Sequence, residues 1–316
     1  MIKLFKVLSV FVALSMVACT DSDDDLYSAE QGIYVLNSNS NTWDISFYQF
    51  LTSKVIGSYY TTMNPTEQNE GESAISFSKR RSQAYILTQR TDGSGAINII
   101  DFKDFKSTKK ISGFSSPQSL LFLSDSAGVV ANGGALPSLS FCDFTKNQIT
   151  ATISLQYQPG KLLLKGKYLY VVHPQNNVVS VIDHITKLPV TEIPTLQNPS
   201  DLVIDSSNDI WIDCPGSGLT KVRHLSWQTE LRKEDFLLNN SAAEVTCRFG
   251  LAPSNSYLYY FDNGLKRHYI GNNQLPDNKL ISDEDPTLFG GFNIDSNSGN
   301  IYYLKRANAT DTLLIY

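Results

Sequence analysis

Residues Gln158–Thr195 read QPGKLLLKGKYLYVVHPQNNVVSVIDHITKLPVTEIPT, and their order decides the fold. A short apolar strand from Leu162 is followed by a Lys-Gly-Lys turn, the aromatic and β-branched run Lys167–Val172, a polar loop, an alternating strand and a last strand ending near Pro194. Four short strands of this kind form no stable unit alone, because each apolar face needs a neighbour to cover it. Neighbours stand on both sides. PQSLLFLSDSAGVVANGG from Pro117 and NPSDLVIDSSNDIWIDC from Asn198 keep the same order, so Pro117, Pro159 and Pro199 recur 42 and 40 residues apart. The stretches beginning at Glu72, Ala243 and Asp285 fit the same template. A period near 40 with four strands per unit is the signature of a β-propeller blade.

The second strand of each unit is the clearest element: Lys167–Val172, Asp209–Ile212, Tyr257–Tyr260 and Asn300–Leu304 are β-branched and aromatic runs bounded by turn residues. The apolar spacing keeps to a period of two and turn residues interrupt it often, so no long amphipathic helix is expected. A β-sandwich, the main rival, needs no regular repeat. Seven units are counted, the first starting at its second strand with Gly32 and the last stopping at its third with Leu313–Tyr316. The fourth strand of the last blade and the innermost strand of the first have no obvious sequence, although Asp25 to Gln31 is able to supply one. The expectation is an all-β, seven-bladed β-propeller over residues 31–316 with an incomplete seam between first and last blades.

The residues before the propeller read as an address. Lys3 and Lys6 precede an apolar run from Val7 to Ala18, too short for the ~20 residues of a membrane span, and small residues lead into Cys19. Residues 1–18 are therefore expected to be an export signal. Placing Cys19 directly after Met16-Val17-Ala18 resembles the lipobox of bacterial lipoproteins, which implies lipidation at Cys19. Residues 19–30 form an acidic tether, whose Ser22-Asp23-Asp24-Asp25 resembles the tag that sends lipoproteins of Bacteroides-type bacteria to the outer face of the outer membrane. The expected location is the outer membrane, lipid-anchored and exposed at the cell surface, with contact to the membrane through the lipid only.

Composition narrows the partners. The 316 residues are 41% hydrophobic and 18% charged, with a net charge of −5, and no basic run is longer than Lys79-Arg80-Arg81, the others being pairs such as Lys109-Lys110. Nucleic acid is not expected as a partner, because neutralising phosphates takes a concentrated basic surface. Beyond Cys19 only Cys142, Cys214 and Cys247 remain, each in a strand-like stretch, so at most one pair forms and small core residues are the plainer reading. No CxxC or HxxxH spacing gathers metal ligands, and neither a metal nor any other cofactor is expected.

The order Pro-x-x-Leu, KYLYVV, NNVVSVID, PVTEI is similar to that of the YncE-like propellers. With GIYVLNSNSNTWDISFYQF from Gly32 the chain resembles their surface-lipoprotein branch in Bacteroides-type bacteria. That resemblance spans residues 32–316 and implies the fold. Its best understood members capture cobalamin and pass it to an outer-membrane transporter, which implies a corrinoid or another nutrient as the ligand and such a transporter as the partner. Ser38-Asn39-Ser40 stands where the branch usually carries Glu-Gly, and a C-terminal closing segment is absent.

In a propeller the loops joining second to third strands surround one mouth of the channel, the usual place for a ligand. Here those loops are rich in Asn, Gln, Ser and Gly. The candidate ligand-binding residues are Asn37, Asn39, Trp43, Arg90, Asn132, His173, Gln175, Asn176, Asp262, Asn263 and Arg306, planar and hydrogen-bonding groups suited to a sizeable polar ligand. No catalytic residue is assigned. GxSxG is missing, and His173, His184, His224 and His268 are scattered. The expected function is capture of a nutrient without chemistry, with a surface protein-interaction scaffold as the alternative. A metal-dependent lactonase-like enzyme drafting Glu72, Asn132 and Asp262 is the second alternative.

Overall fold

The computed structural model describes residues 4–8, 17–18, 32–67, 69–226, 230–237, 250–251, 256–262, 264–282, 289–295, 299–305 and 310–316. They form seven four-stranded antiparallel sheets in consecutive order, a seven-bladed β-propeller. The expected lipidation site Cys19, the tether 19–30 and the third cysteine Cys247 lie outside the described residues.

The chain divides into two compact units. The first strand, β1 (Leu4–Leu8), belongs to the second of them. The unit Val10–Gln156 holds three sheets. One is β2 (Val17–Ala18), β3 (Gly32–Ser38), β4 (Trp43–Gln49) and β5 (Lys54–Ile56), followed by the short helix α1 (Tyr59–Met63). The next is β6 (Glu72–Arg80), β7 (Gln83–Arg90), β8 (Ser94–Asp101) and β9 (Lys106–Ser115). The third is β10 (Pro117–Phe122), β11 (Ala127–Asn132), β12 (Ser138–Asp143) and β13 (Gln148–Ser154). Innermost β6 packs against β3 on one side and β10 on the other.

The other unit, Met1–Ser9 with Tyr157–Tyr316, holds four. Its sheets are β14 (Leu162–Lys165) to β17 (Leu188–Pro194) by way of β15 (Tyr168–His173) and β16 (Val178–Asp183), then β18 (Asp201–Ile204), β19 (Ile210–Cys214), β20 (Gly218–Ser226) and β21 (Glu230–Leu237). There follow β22 (Gly250–Leu251), β23 (Tyr257–Phe261), β24 (Gly264–Tyr269) and β25 (Lys279–Ser282), and last β26 (Phe289–Ile294), β27 (Ile301–Lys305) and β28 (Thr310–Ile315). Innermost strands β14, β18, β22 and β26 succeed one another as neighbours.

The expected gap at the seam is not found. β1 pairs antiparallel with β28, Leu8 opposite Thr310, and β2 pairs with β3, Val17 opposite Tyr34. Both sheets therefore have four strands. An open edge presents a row of unpaired N–H and C=O groups that any extendable apolar segment satisfies. Both strands come from residues 1–18, the segment read above as an export signal, so this strand count belongs to the uncleaved chain.

Burial explains why the second strands were so legible. Five consecutive residues of β7, Ala84–Thr88, and five of β15, Leu169–His173, are buried, because blades pack on both faces of these central strands. Outer strands keep the period of two, as in the alternating exposure of β13. Packing between the first two blades is aromatic. Tyr34 stacks on Phe47 at 4.5 Å and on Phe105 at 5.3 Å between ring centres, with Phe102 edge-on at 5.0 Å. Tyr85, Phe122 and Phe144 repeat the device between second and third. Such pairs contribute about 0.5–1.5 kcal/mol each beyond area burial. Close approach sets one glycine: a Cβ on Gly128 would stand 2.6 Å from the Phe144 ring.

Candidate functional site

In every sheet the loop between second and third strands leaves one end, here the loop end, and the connections from first to second and, except between β28 and β1, from third to fourth strands leave the opposite, turn end. Loop ends of the unit Val10–Gln156 are tightly closed. Asn39 Oδ1 accepts from the N–H groups of Asn41 and Thr42 at 2.8 and 2.7 Å, and Asn39 N–H donates to Thr42 O, fixing the turn between β3 and β4. Asp92 Oδ1 accepts from Ser94 N–H and hydroxyl between β7 and β8. Gly71 N–H donates to Asn41 O and Asn69 Nδ2 to Trp43 O, tying the entry into β6 to the neighbouring blade.

An ion cluster sits at this junction. Glu72, the first residue of β6, is buried, and its Oε1 accepts from Arg90 Nε at 2.9 Å and from Lys110 Nζ at 3.3 Å. Burial pushes its carboxyl up, but the bond from Arg90 and the nearby Lys110 charge outweigh that and hold it below the usual carboxylate range. Both cations are largely exposed, 58% and 42% of their side chains, so one hidden carboxylate orients two solvent-facing donors. Tyr60 packs against Trp43 beside them, ring centres 4.6 Å apart and planes tilted by 41°, and burial raises its phenol to about 12. The Trp43 indole N–H is buried without a hydrogen-bond partner.

Several candidate residues point into the blades instead. Asn37 Nδ2 donates to Ser46 Oγ at 2.7 Å, and Asn132 Nδ2 donates to Ser140 Oγ at 2.9 Å. His173, fully buried, meets Ser180 Oγ through Nε2 at 2.8 Å and the Gln158 carbonyl through Nδ1 at 3.1 Å. The carbonyl only accepts, so Nδ1 carries the proton and Nε2 accepts from the serine. Burial lowers this imidazole, which stays neutral at neutral pH. Together these are one repeated polar rung from the end of a second strand to a hydroxyl on the third. Trp43 is buried as well, and Asp262, also buried, accepts from Lys266 Nζ at 2.6 Å. Arg90, Gln175 and Asn176 face solvent, and Asn39 is half-buried; Asn263 and Arg306 lie outside the described residues.

Glu72, Asn132 and Asp262 each have partners of their own, and among the described residues no three His, Cys, Asp or Glu side chains gather in a metal-holding group. Cys142 and Cys214 are free and buried, and burial raises both thiols to about 12, which suits small core residues. In the sequence Lys110 stands only as part of the Lys109-Lys110 pair, and nothing marks it as a partner of Glu72, 38 residues away on β6.

In the other unit one loop-end carboxyl stands apart. Asp213, on β19, is buried; Ser200 Oγ donates to its Oδ2 at 2.9 Å, and Oδ1 has no partner. Burial pushes its carboxyl pKa well above the ordinary carboxylate range. The unfolded chain ionises above about pH 4, so the folded state loses stability as pH rises from there through the raised value. Asp213→Asn keeps the shape and cannot ionise. We expect it to stabilise the protein by about 1–3 kcal/mol at pH 7.5, the scale of an unsatisfied buried group, and to be near neutral at pH 4. Thermal unfolding at the two pH values measures this, and an equal effect at both refutes it.

No family model matches the chain, and no curated protein matches it. Solved structures do. The β-propeller domain of Myceliophteria thermophila Cps50 (Swd1) aligns over 99% of this chain and 98% of its own, with a TM-score of 0.68 and 10% identity. A quinonprotein alcohol dehydrogenase-like protein from Bacteroides thetaiotaomicron aligns over 91% and 73%, with 0.67 and 11%. Kuenenia stuttgartiensis hydrazine synthase aligns over 95% and 99%, with 0.66 and 14%. At these identities the likeness is one of fold. Propellers of this shape include enzymes, and function has to be argued from the residues.

Proposed function

We propose that this chain is a lipid-anchored, surface-exposed propeller that captures a polar nutrient, cobalamin-like or glycan-derived, and passes it to an outer-membrane transporter without transforming it. The observation that carries the reading is the pair of exposed donors, Arg90 at the end of β7 and Lys110 on β9, held by buried Glu72 next to hydrogen-bonded loops. A ligand meeting donors already fixed in place loses less on ordering them, which is the advantage of preorganisation. The lipobox-like Met16-Val17-Ala18-Cys19 and the acidic tether support the address. Leu136, 85% exposed between β11 and β12, favours a second reading, a loop end that binds protein.

Calorimetric titration of the full chain with cyanocobalamin, other corrinoids and a panel of oligosaccharides tests this. One saturable site is expected, weakened at least about tenfold in Arg90→Ala, the loss of roughly one charge-assisted hydrogen bond. A folded chain that binds none of them contradicts capture, and binding unaffected by Arg90→Ala moves the site elsewhere.

A further inference from the structure

Buried polar atoms without partners gather where the sheet β18–β21 packs on the sheet β22–β25. Six buried side-chain atoms make no hydrogen bond among the described residues, and three of them, the Tyr260 hydroxyl oxygen and both ring nitrogens of His268, belong to this one contact. The contact is otherwise apolar: Trp211, Leu219 and Phe236 meet Leu258, Tyr260 and Ile270. His268 on β24 is fully buried in it, edge-on to Trp211 at 5.5 Å and 6.1 Å from the Phe236 ring. The Gln274 backbone is near enough to favour a proton there, without a bond of ordinary geometry. Burial and the Lys221 charge outweigh it and hold the imidazole below its ordinary value.

An imidazolium in this place meets the Lys221 cation and no carboxylate of its own. On the facing sheet Asp209 is shared by Lys221 and Arg223, Asp205 accepts from the Trp211 indole, and Asp213 accepts from Ser200. Asp201 is half-buried on β18 opposite Asp213, and Glu234 on β21 is exposed opposite Lys221. On the sheet of His268 itself, Lys266 is bonded to Asp262, Asp277 and Lys279 are exposed, and burial pushes the Tyr260 phenol up, so it stays neutral. We propose that His268 is an acid-sensitive latch between these two sheets: uncharged it lets them pack, and charged it parts β22–β25 from β18–β21. Opening the contact gives the ring to water, where it takes its proton near pH 6.5, while the packed contact resists the proton until lower pH. The packing is therefore whole above about pH 6.5 and weakens as pH falls below it. This device does not depend on the ligand proposed above.

Hydrogen exchange of the full chain, expressed at each pH as protection relative to an unstructured peptide, tests this. Between pH 7.5 and pH 5 the protection of β19, β23 and β24 is expected to fall at least about threefold more than that of β7 and β11 in the other unit. His268→Phe keeps a ring in the place and cannot titrate, so it is expected to abolish that difference. Tyr260→Phe removes the neighbouring unpartnered group, which carries no charge in this range, and is expected to retain it. Circular dichroism checks folding, and His268→Gln takes the place of His268→Phe if the latter does not fold. An equal loss of protection in the His268 variant, or a loss as large in β7 and β11, overturns the proposal.

Discussion

Asp209→Ala is expected to destabilise the protein by about 3–5 kcal/mol, the usual cost of removing one partner from a buried ion pair. Asp209 is buried at the start of β19, where its carboxylate accepts from Arg223 Nε and Nη2 at 3.0 and 2.9 Å and faces Lys221 Nζ at 3.4 Å. Arg223 is half exposed and can rehydrate. Lys221 cannot, because its ammonium is buried over the Trp211 ring at 4.8 Å. The loss is therefore chiefly that of a stranded charge, and a second change should relieve it. Asp209→Leu combined with Lys221→Met is expected to recover most of the stability that either substitution alone removes. Denaturant unfolding of the three variants decides the matter; a double variant as unstable as the sum of the singles refutes the account.

Trp211→Ala is the other large effect, again about 3–5 kcal/mol. The indole is fully buried on β19, with Phe236 at 5.1 Å and His268 edge-on at 5.5 Å, and its N–H donates to Asp205 Oδ2 at 2.8 Å. Asp205 also accepts from the Ser207 and Asp209 N–H groups, so the side chain that shapes the turn into β19 is locked to the core beside it. Truncation opens a cavity and at once deprives the Asp205 carboxylate of a donor. Trp211→Phe fills most of the space and removes only the hydrogen bond, so about 1.5–3 kcal/mol is expected there. Equal destabilisation by the two variants in denaturant unfolding would contradict this division.

The repeat made the blades legible because the strands that carry it are buried on both faces. Lys167–Val172, Asp209–Ile212, Tyr257–Tyr260 and Asn300–Leu304 fall within a residue or two of β15, β19, β23 and β27. What the sequence left hidden has specific causes. Seam strands of two and five residues lie outside the 40-residue period, so no pattern announced them. The loops were placed correctly, yet side-chain direction at a strand end depends on register, and His173 and Asn132 turned inward to bond Ser180 and Ser140. Glu72 was read as a metal ligand in reserve; its role as the hub for Arg90 and Lys110 needs three strands brought together in space.

Hydrogen exchange of the full chain with and without saturating cyanocobalamin, or whichever corrinoid or oligosaccharide titrates, tests capture at the loop end most directly. Slowed exchange at residues 39–43, 69–72 and 90–94, with the turn ends unchanged, is the predicted result. Protection confined to the turn ends, or none anywhere in the propeller, would contradict it.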